Sequence, residues 1–188
     1  QITPSFMRID HIAYRVKDRF ATAKFFIECF NYRIAEELPD GFEIVFEDNS
    51  TAKCLVLLPT ELTNPYMPWI GEVYYGGEWN KYHMAPEIFI SDGTEDSIVG
   101  QWVKERSDIG GIHHIAYQVD NVEKTMEEWK KKCYAEFASE KPLTCPGLVQ
   151  VFTKPSVLTG VIYEFITREE HGFCKENVKS LMESTKGF

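Results

Sequence analysis

The alternation of apolar and polar positions repeats along the chain at a distance of 103 residues. Residues 9–16 read Ile-Asp-His-Ile-Ala-Tyr-Arg-Val, and residues 112–119 read Ile-His-His-Ile-Ala-Tyr-Gln-Val. Each segment alternates like a strand with one buried face, and apolar positions at helical spacing follow it. The pattern predicts a helix over 18–30 that is capped by Asp18, and an equivalent helix in the second copy that is capped by Asn121.

Short segments rich in β-forming residues follow each helix and predict three more strands in each half. They lie at 32–37, 42–47 and 53–58, and at 134–139, 147–153 and 160–166. The chain is therefore predicted to use a strand–helix–strand–strand–strand unit twice. One unit leaves an apolar sheet face that its helix only partly covers, so we expect two copies to curl around a shared cleft in an α+β fold.

A segment rich in proline, tyrosine and tryptophan separates the two units. Its length, over residues 61–95, predicts a long connection packed on the outside, with a lid or a dimer contact as the alternative. A helix is expected at 94–105, and a last helix at 174–184. These features divide the chain into a first unit at 8–60, an aromatic-rich insertion with a linking helix at 61–108, and a second unit with a C-terminal helix at 109–188.

The composition narrows the class of protein. The chain of 188 residues carries 20 Lys and Arg against 29 Asp and Glu, a net charge of −9, and 44% of its residues are hydrophobic. An acidic chain is a poor partner for nucleic-acid phosphates, and this apolar fraction predicts a compact domain. Without a long apolar run or a signal-peptide pattern, we expect a cytoplasmic protein that does not bind membranes. The odd number of cysteines, without metal-site spacing, predicts reduced thiols.

Three polar residues in otherwise apolar strands are candidates for a metal site. Alternation places His11 on the strand face opposite the bulky apolar side chains, and His114 takes the same position in the second copy. Glu164 lies within an apolar strand, where an unpaired carboxylate is costly to bury. Two histidines and one carboxylate suit non-haem Fe(II), while inheritance from the duplication is the alternative explanation for the histidines. Alternation assigns His113 to the helix-covered side.

The repeated His-Ile-Ala-Tyr-x-Val motif, the helices after it and the late glutamate resemble the vicinal oxygen chelate (glyoxalase/bleomycin resistance/dioxygenase) superfamily. The resemblance covers nearly the whole chain from residue 8. Segments 148–155, 163–166 and 172–184 look like the end of 4-hydroxyphenylpyruvate dioxygenase, whose C-terminal catalytic half has two modules. The resemblance implies two βαβββ modules that pair to form a curled mixed-sheet cleft. The modules close on each other within one chain or pair with a second copy in a homodimer.

The resemblance also implies a site and a reaction. The metal ligands would be His11, His114 and Glu164, and the substrate-binding residues would be Gln150, Phe173 and Asn177. No catalytic acid or base is assigned. The implied cofactor is Fe(II), with Zn, Co, Mn, Ni or Mg as alternatives. The implied partners are O₂ and a 2-oxo acid or related carbonyl compound, which the protein would oxidise as a dioxygenase.

Two other functions fit the same superfamily. Methylmalonyl-CoA epimerases and glyoxalases, which are metal-dependent isomerases or lyases, usually place a fourth ligand, Glu or Gln, on the last strand of the first module. The best-aligned position here is near Leu55, which cannot bind a metal, with Glu47 or Glu61 as substitutes. This difference favours the dioxygenase. A small-ligand binding protein of the same fold is the third hypothesis, and the aromatic-rich segment at 61–95 suits it.

Overall fold

The computed structural model describes residues 7–59, 86–169 and 174–188. In these ranges the chain forms nine strands: β1 (Arg8–Val16), β2 (Tyr32–Ile34), β3 (Phe42–Val45), β4 (Thr51–Pro59), β5 (Glu87–Gly93), β6 (Gly110–Gln118), β7 (Leu143–Cys145), β8 (Leu148–Phe152) and β9 (Ile162–Arg168). The helices are α1 (Arg19–Phe30), α2 (Ile98–Lys104), α3 (Val122–Lys131) and α4 (Lys175–Ser184). None of these helices has the length and hydropathy needed to cross a membrane.

The strands form one open mixed sheet in the order β2-β4-β5-β1-β6-β9-β8-β7, with β3 paired to β4. The central strands β1 and β6 run antiparallel. On either side of this pair, β1 is parallel to β5, and β6 is parallel to β9. The two repeats therefore lie side by side and meet through their first strands. This arrangement confirms the predicted α+β fold with its repeated unit.

The first helix of each repeat begins where the sequence predicts it. The Asp18 carboxylate accepts hydrogen bonds from the backbone N–H groups of Phe20 and Ala21. The Asn121 side chain accepts one from the backbone N–H of Lys124. These caps satisfy donors that the first turn of a helix leaves free.

The helices cover the two faces of the sheet unequally. On one face, α1 packs through Ala23 and Phe26 on Leu55 and its neighbours, and α3 packs on the second half in the same way. On the other face, α2 packs against the first-half strands through Val99, and α4 lies across both halves, with Met182 in the first-half core and Leu181 against Phe152 and Ile162 of the second half. The side chains of His11 and Glu164 lie on this second face, together with α4 residues.

Part of the segment 61–95, which the sequence predicts to be a connection, forms a strand in the structure. Residues 87–93 form β5, a strand near the centre of the sheet that is buried between β4 and β1. The sequence did not predict this strand because both of its faces are covered. Such a strand is a short apolar run without alternation, and its pattern does not distinguish it from other buried segments. Residues 60–85, and with them the proposed lid or dimer contact, lie outside the described residues. The domain boundaries remain a prediction.

Two further predictions are wrong. The strand predicted at 134–139 is reduced to a single bridge between Phe137 and Thr153, because Phe137 alone of this segment joins the core beneath α3. Cys145 and Cys174 form a disulfide, which links β7 to the start of α4. The fold, and not the spacing of the cysteines along the chain, brings these two together. Cys29, Cys54 and Cys133 are free thiols, as predicted.

Candidate metal centre

The three predicted ligand residues meet at one point on the sheet. Oε2 of Glu164 lies 3.0 Å from Nε2 of His11 and 3.1 Å from Nε2 of His114. One ligand atom from each residue lies within 4.8 Å of the other two. The side chains of His11 and Glu164 are 2% and 1% exposed, so the site is closed to bulk water. Two imidazole nitrogens and one carboxylate oxygen form a donor set that suits a divalent transition metal.

Strand pairing explains why these residues converge. His11 lies opposite Ala116 across the central strand pair, and His114 lies opposite Ala13. Glu164 of β9 is the next neighbour of Ala116. Because an alanine accompanies each histidine, the space between the two rings stays open for the carboxylate.

A β-bulge precedes each histidine. The register between β1 and β6 shifts by one residue at Asp10 and again at His113, which occupy equivalent positions of the repeat. An extra residue in a bulge interrupts the alternation of faces. Asp10 and His113 therefore point to the same side as the histidine that follows. The prediction that His113 lies on the helix-covered side is wrong for this reason.

Each bulge residue, Asp10 or His113, contacts the imidazole ring of the histidine that follows it. Oδ2 of Asp10 is 2.7 Å from Nδ1 of His11, and Nδ1 of His113 is 2.8 Å from Nδ1 of His114. Arg168 in turn pairs with Asp10 at 3.0 Å and with Glu87 at 2.8 Å. These contacts direct both Nε2 atoms toward Glu164, which is how partners behind a histidine commonly orient it for a metal.

The charges of the three ligands are coupled. Burial by itself would lower the pKa of His11, but the Glu164 carboxylate and Asp10 raise it to about 9. Burial would raise the pKa of Glu164, but His11 and His114 lower it far below its usual range. Burial lowers the pKa of His114. The metal-free site therefore holds an ionised Glu164, a protonated His11 and a neutral His114.

A chain of amides reaches the carboxylate from the C-terminal helix. Nε2 of Gln150 donates to Oε1 of Glu164 at 2.7 Å, and Nδ2 of Asn177 donates to Oε1 of Gln150 at 3.3 Å. Gln150 lines the cavity beside the triad, but its amide nitrogen is engaged by Glu164. Its direct contact with a substrate, and that of Asn177, remain predictions. Phe173 lies outside the described residues.

The position that corresponds to Glu164 in the first repeat is Phe89. Glu164 pairs with Ala116, and Phe89 pairs with Ala13, the equivalent alanine of β1. The Phe89 ring stacks on the His11 ring with their centres 4.1 Å apart. The predicted alignment to Leu55 is wrong, because Leu55 packs under α1 on the opposite face. Only the parallel pairing of β5 with β1 identifies Phe89 as the residue equivalent to Glu164.

The alternative fourth ligands do not reach the triad in the described structure. Glu47 is exposed to solvent, and it lines a separate cavity on the far side of Arg15. Glu61 lies outside the described residues. Within the described residues, the site therefore has three candidate ligands and an aromatic ring in the fourth position.

A cavity of about 60 Å³ opens beside the triad. This volume equals that of about two water molecules in the liquid, so the site suits a small ligand. Its walls are mostly apolar and include Phe89, Phe152 and, from α4, Leu181. Among the described residues, Glu164 is the only carboxylate in the wall.

The sequence matches a known superfamily over most of its length. The Glyoxalase/Bleomycin resistance protein/Dioxygenase superfamily matches residues 8–156. Two curated relatives are the mitochondrial methylmalonyl-CoA epimerases of Mus musculus and Homo sapiens, which are 22% and 23% identical to the chain over 160 residues. Each alignment covers 84% of this chain, and the two cover 71% and 72% of the epimerases.

Solved structures of two enzymes share the fold. A methylmalonyl-CoA epimerase has a TM-score of 0.61 at 18% identity, over 90% of this chain and 100% of its own. A variant of 4-hydroxymandelate synthase from Streptomyces coelicolor has a TM-score of 0.70 at 16% identity, over 96% of this chain and 53% of its own. This synthase is a relative of 4-hydroxyphenylpyruvate dioxygenase, and the chain spans about half of its length. The resemblance seen in the repeat is thus confirmed, and the chain belongs to the Glyoxalase/Bleomycin resistance protein/Dioxygenase superfamily.

Proposed function

We propose that the protein is a dioxygenase that uses non-haem Fe(II) and O₂ to oxidise a small 2-oxo acid. The observation that carries the proposal is the three-ligand site, in which Phe89 takes the place of a fourth ligand. Three protein ligands leave room for an acid that binds through two oxygens and for O₂. Bound iron would supply the activation of O₂ that amino-acid side chains cannot provide.

The chain's own residues would hold and shield this centre. His11, His114 and Glu164 bind the metal, and Gln150 keeps the Glu164 carboxylate in place through its hydrogen bond to Oε1. The apolar wall formed by Phe89, Phe152 and Leu181 excludes water from the substrate. The size of the cavity favours a small acid.

A metal-dependent epimerase or isomerase of an acyl-CoA is the second candidate, and the two curated relatives favour it. Such a reaction needs a side chain that takes a proton from the α-carbon. In the part of the chain that the structure describes, no carboxylate other than Glu164 lines the cavity. Asp10 and Glu87 lie behind His11 and pair with Arg168. These residues support the dioxygenase over the epimerase.

Oxygen consumption tests the proposal. The protein is loaded with Fe(II) without oxygen and mixed with 4-hydroxyphenylpyruvate and a panel of smaller 2-oxo acids, and O₂ uptake is then followed. We expect uptake with at least one acid, and a loss of 100-fold or more in Glu164→Gln because that amide is a much weaker metal ligand. The matched control is Glu136→Gln, since Glu136 is exposed and pairs with Lys154.

A different result would identify the second candidate. Absence of O₂ uptake with every acid would contradict the dioxygenase. Exchange of the α-proton of methylmalonyl-CoA in heavy water, seen by mass spectrometry and lost in Glu164→Gln, would then establish the epimerase. Metal-independent binding of the acids without turnover would indicate a binding protein of the same fold.

A further inference from the structure

Unpaired buried polar atoms gather beside the triad. Within the described residues, four buried side-chain nitrogens lack a hydrogen-bond partner, and three of them belong to Arg15, Trp102 and His113. The Arg15 guanidinium lies 5.7 Å from the centre of the Trp102 ring, whose centroid is 5.4 Å from that of His113. Buried polar groups are almost always paired. Three such atoms in one cluster therefore point to a bound partner.

Arg15 is a buried cation without a counter-ion. Arg15 is 4% exposed, its Nη1 atom has no hydrogen-bond partner, and no ion pair within the described residues includes it. The charged or titratable groups that act on it are the Cys54 thiol of β4 and the Arg106 guanidinium after α2. Burial lowers the pKa of Arg15 to about 9, so it remains charged at neutral pH. A buried charge of this kind normally has an opposite charge beside it.

Two of the three unpaired residues, Arg15 and His113, line the cavity of the triad, whereas Trp102 lines the cavity on the other side of Arg15. Arg15 follows His11 on β1, and it lines the same cavity as His11, His114 and Glu164. On its far side lies a larger cavity of about 520 Å³. That cavity is rich in acidic side chains, including Glu47 and Glu183, which would repel an anion. An anion that pairs with Arg15 therefore lies on the inner side, beside the metal ligands.

His113 adds a second donor to this site. When Nε2 of His114 binds a metal, Nδ1 of His114 carries the proton and donates to Nδ1 of His113. His113 then has its other ring nitrogen, Nε2, available to a ligand, and this atom is buried without a partner beside the cavity that Arg15 also lines. Both Arg15 and His113 thus present donors to the cavity, and the group that satisfies them is an acceptor.

We propose that Arg15 and His113 bind a carboxylate of the substrate, at the end away from the metal, so that the substrate is a small dicarboxylic 2-oxo acid. The assignment of the other end of the substrate as a 2-oxo acid group bound to the metal rests on the proposed function. Arg15 would be the residue that selects a diacid over a monoacid, because an arginine pairs with a carboxylate through two parallel hydrogen bonds. The apolar wall of the inner cavity suits the methylene groups of a short chain between the two acid groups.

A matched set of acids tests the proposal by binding alone. Isothermal titration calorimetry on the metal-loaded protein without oxygen compares 2-oxoglutarate, 2-oxopentanoate and glutarate. The first two differ only in the distal carboxylate, and glutarate lacks the keto group. We expect 2-oxoglutarate to bind at least tenfold more tightly than 2-oxopentanoate. In Arg15→Met this preference should disappear, and in the control Arg33→Met, at an exposed arginine of β2, it should remain.

Thermal unfolding of the ligand-free variants excludes misfolding as the cause. Because Arg15→Met removes an unpaired buried charge, its Tm should equal or exceed that of the wild type. A merely structural arginine would lower the Tm on replacement. A lower Tm in Arg15→Met, or a preference for the diacid that persists in this variant, would overturn the assignment of Arg15.

The three acids separate the two proposals. Equal, metal-dependent binding of both 2-oxo acids would overturn the carboxylate site and leave the proposed function standing. Arg15-dependent binding of glutarate as tight as that of 2-oxoglutarate would confirm the carboxylate site and contradict recognition of a 2-oxo acid. Absence of binding of all three acids would overturn both.

Discussion

The two candidate histidine ligands differ in charge, because Glu164 and Asp10 raise the pKa of His11, whereas burial and the positive charge of His11 lower the pKa of His114. His11 hydrogen-bonds to the Asp10 carboxylate, whereas His114 contacts the imidazole of His113. A carboxylate makes an imidazole more basic and a second neutral ring does not. The repeat therefore supplies two histidines with different pKa values, since the pKa of His11 is raised and that of His114 is lowered.

The affinity for metal should rise with pH between 7 and 9. His11 keeps its proton up to about pH 9 in the metal-free protein, and a metal must displace that proton. Mn²⁺ titrations should show up to a tenfold gain in affinity per pH unit, levelling off above pH 9. The same raised pKa stabilises the metal-free protein fully below pH 6.5 and ceases to do so as the pH approaches 9. An affinity that is constant from pH 7 to 9 would contradict the assignment of the proton to His11.

A substitution at Phe89 can test whether this position is that of a fourth metal ligand. Phe89→Glu places a carboxylate at the position equivalent to Glu164, beside the same metal site. We expect metal affinity, measured by competition with a chelator, to increase at least tenfold. Binding of 2-oxo acids should weaken, because one open position is then filled. Phe89→Leu is the matched control, and equal metal affinities of the two variants would disprove the equivalence of Phe89 and Glu164.

Among the elements, α4 has the most direct influence on the site. It supplies Leu181 and Met182 to the cavity wall, and Asn177 to the amide chain that ends at Glu164. The disulfide between Cys145 and Cys174 holds its first turn against β7. The position of this helix therefore affects both the volume of the cavity and the orientation of the carboxylate.

Removal of the disulfide should destabilise the protein. The two cysteines are 29 residues apart, and a loop of this length corresponds to about 3.6 kcal/mol of unfolding free energy. Cys174→Ser should lose about this amount in urea unfolding, and Cys133→Ser, at an exposed free thiol, should not. A reducing agent should lower the stability of the wild type and leave Cys174→Ser unchanged. A wild type that is insensitive to reduction would show that the disulfide does not contribute.

At the scale of the whole molecule, the site joins the two repeats. His11 belongs to the first repeat, and His114 and Glu164 belong to the second. The antiparallel pair β1–β6 carries the contact between them. Neither repeat has all three candidate ligands, so the candidate metal site exists only when both repeats are folded and paired.

Metal binding should therefore stabilise the whole chain. At a free metal concentration 100 times the Kd, the gain is about 2.7 kcal/mol, which raises the Tm of a chain of this size by about 5 to 10 °C. Calorimetry with Mn²⁺ and with a chelator should show one transition that shifts as a unit. The shift should vanish in Glu164→Gln and persist in Glu136→Gln. Separate transitions for the two repeats, with one of them unaffected by metal, would contradict the shared site.

Local periodicity in the sequence was enough to predict the duplicated unit. The recurring strand motif, the helix after it with its cap, and the histidine on its cleft-facing side all depend on neighbouring residues, whose order along the chain is visible. Glu164 was visible for a similar reason, because an acid in an apolar strand conflicts with its surroundings. These features correctly indicated the α+β fold and the three residues that the structure brings together.

The tertiary structure decided what depends on the pairing of distant segments. The bulges at Asp10 and His113 and the equivalence of Phe89 with Glu164 follow from strand register, and the disulfide follows from the packing of α4 beside β7. Register is set by contacts between residues far apart in sequence, so no local pattern contains it. Arg15 is the clearest example of a feature that only the tertiary structure shows. Its position in the strand pattern does not reveal that its side chain is buried with an unpaired nitrogen.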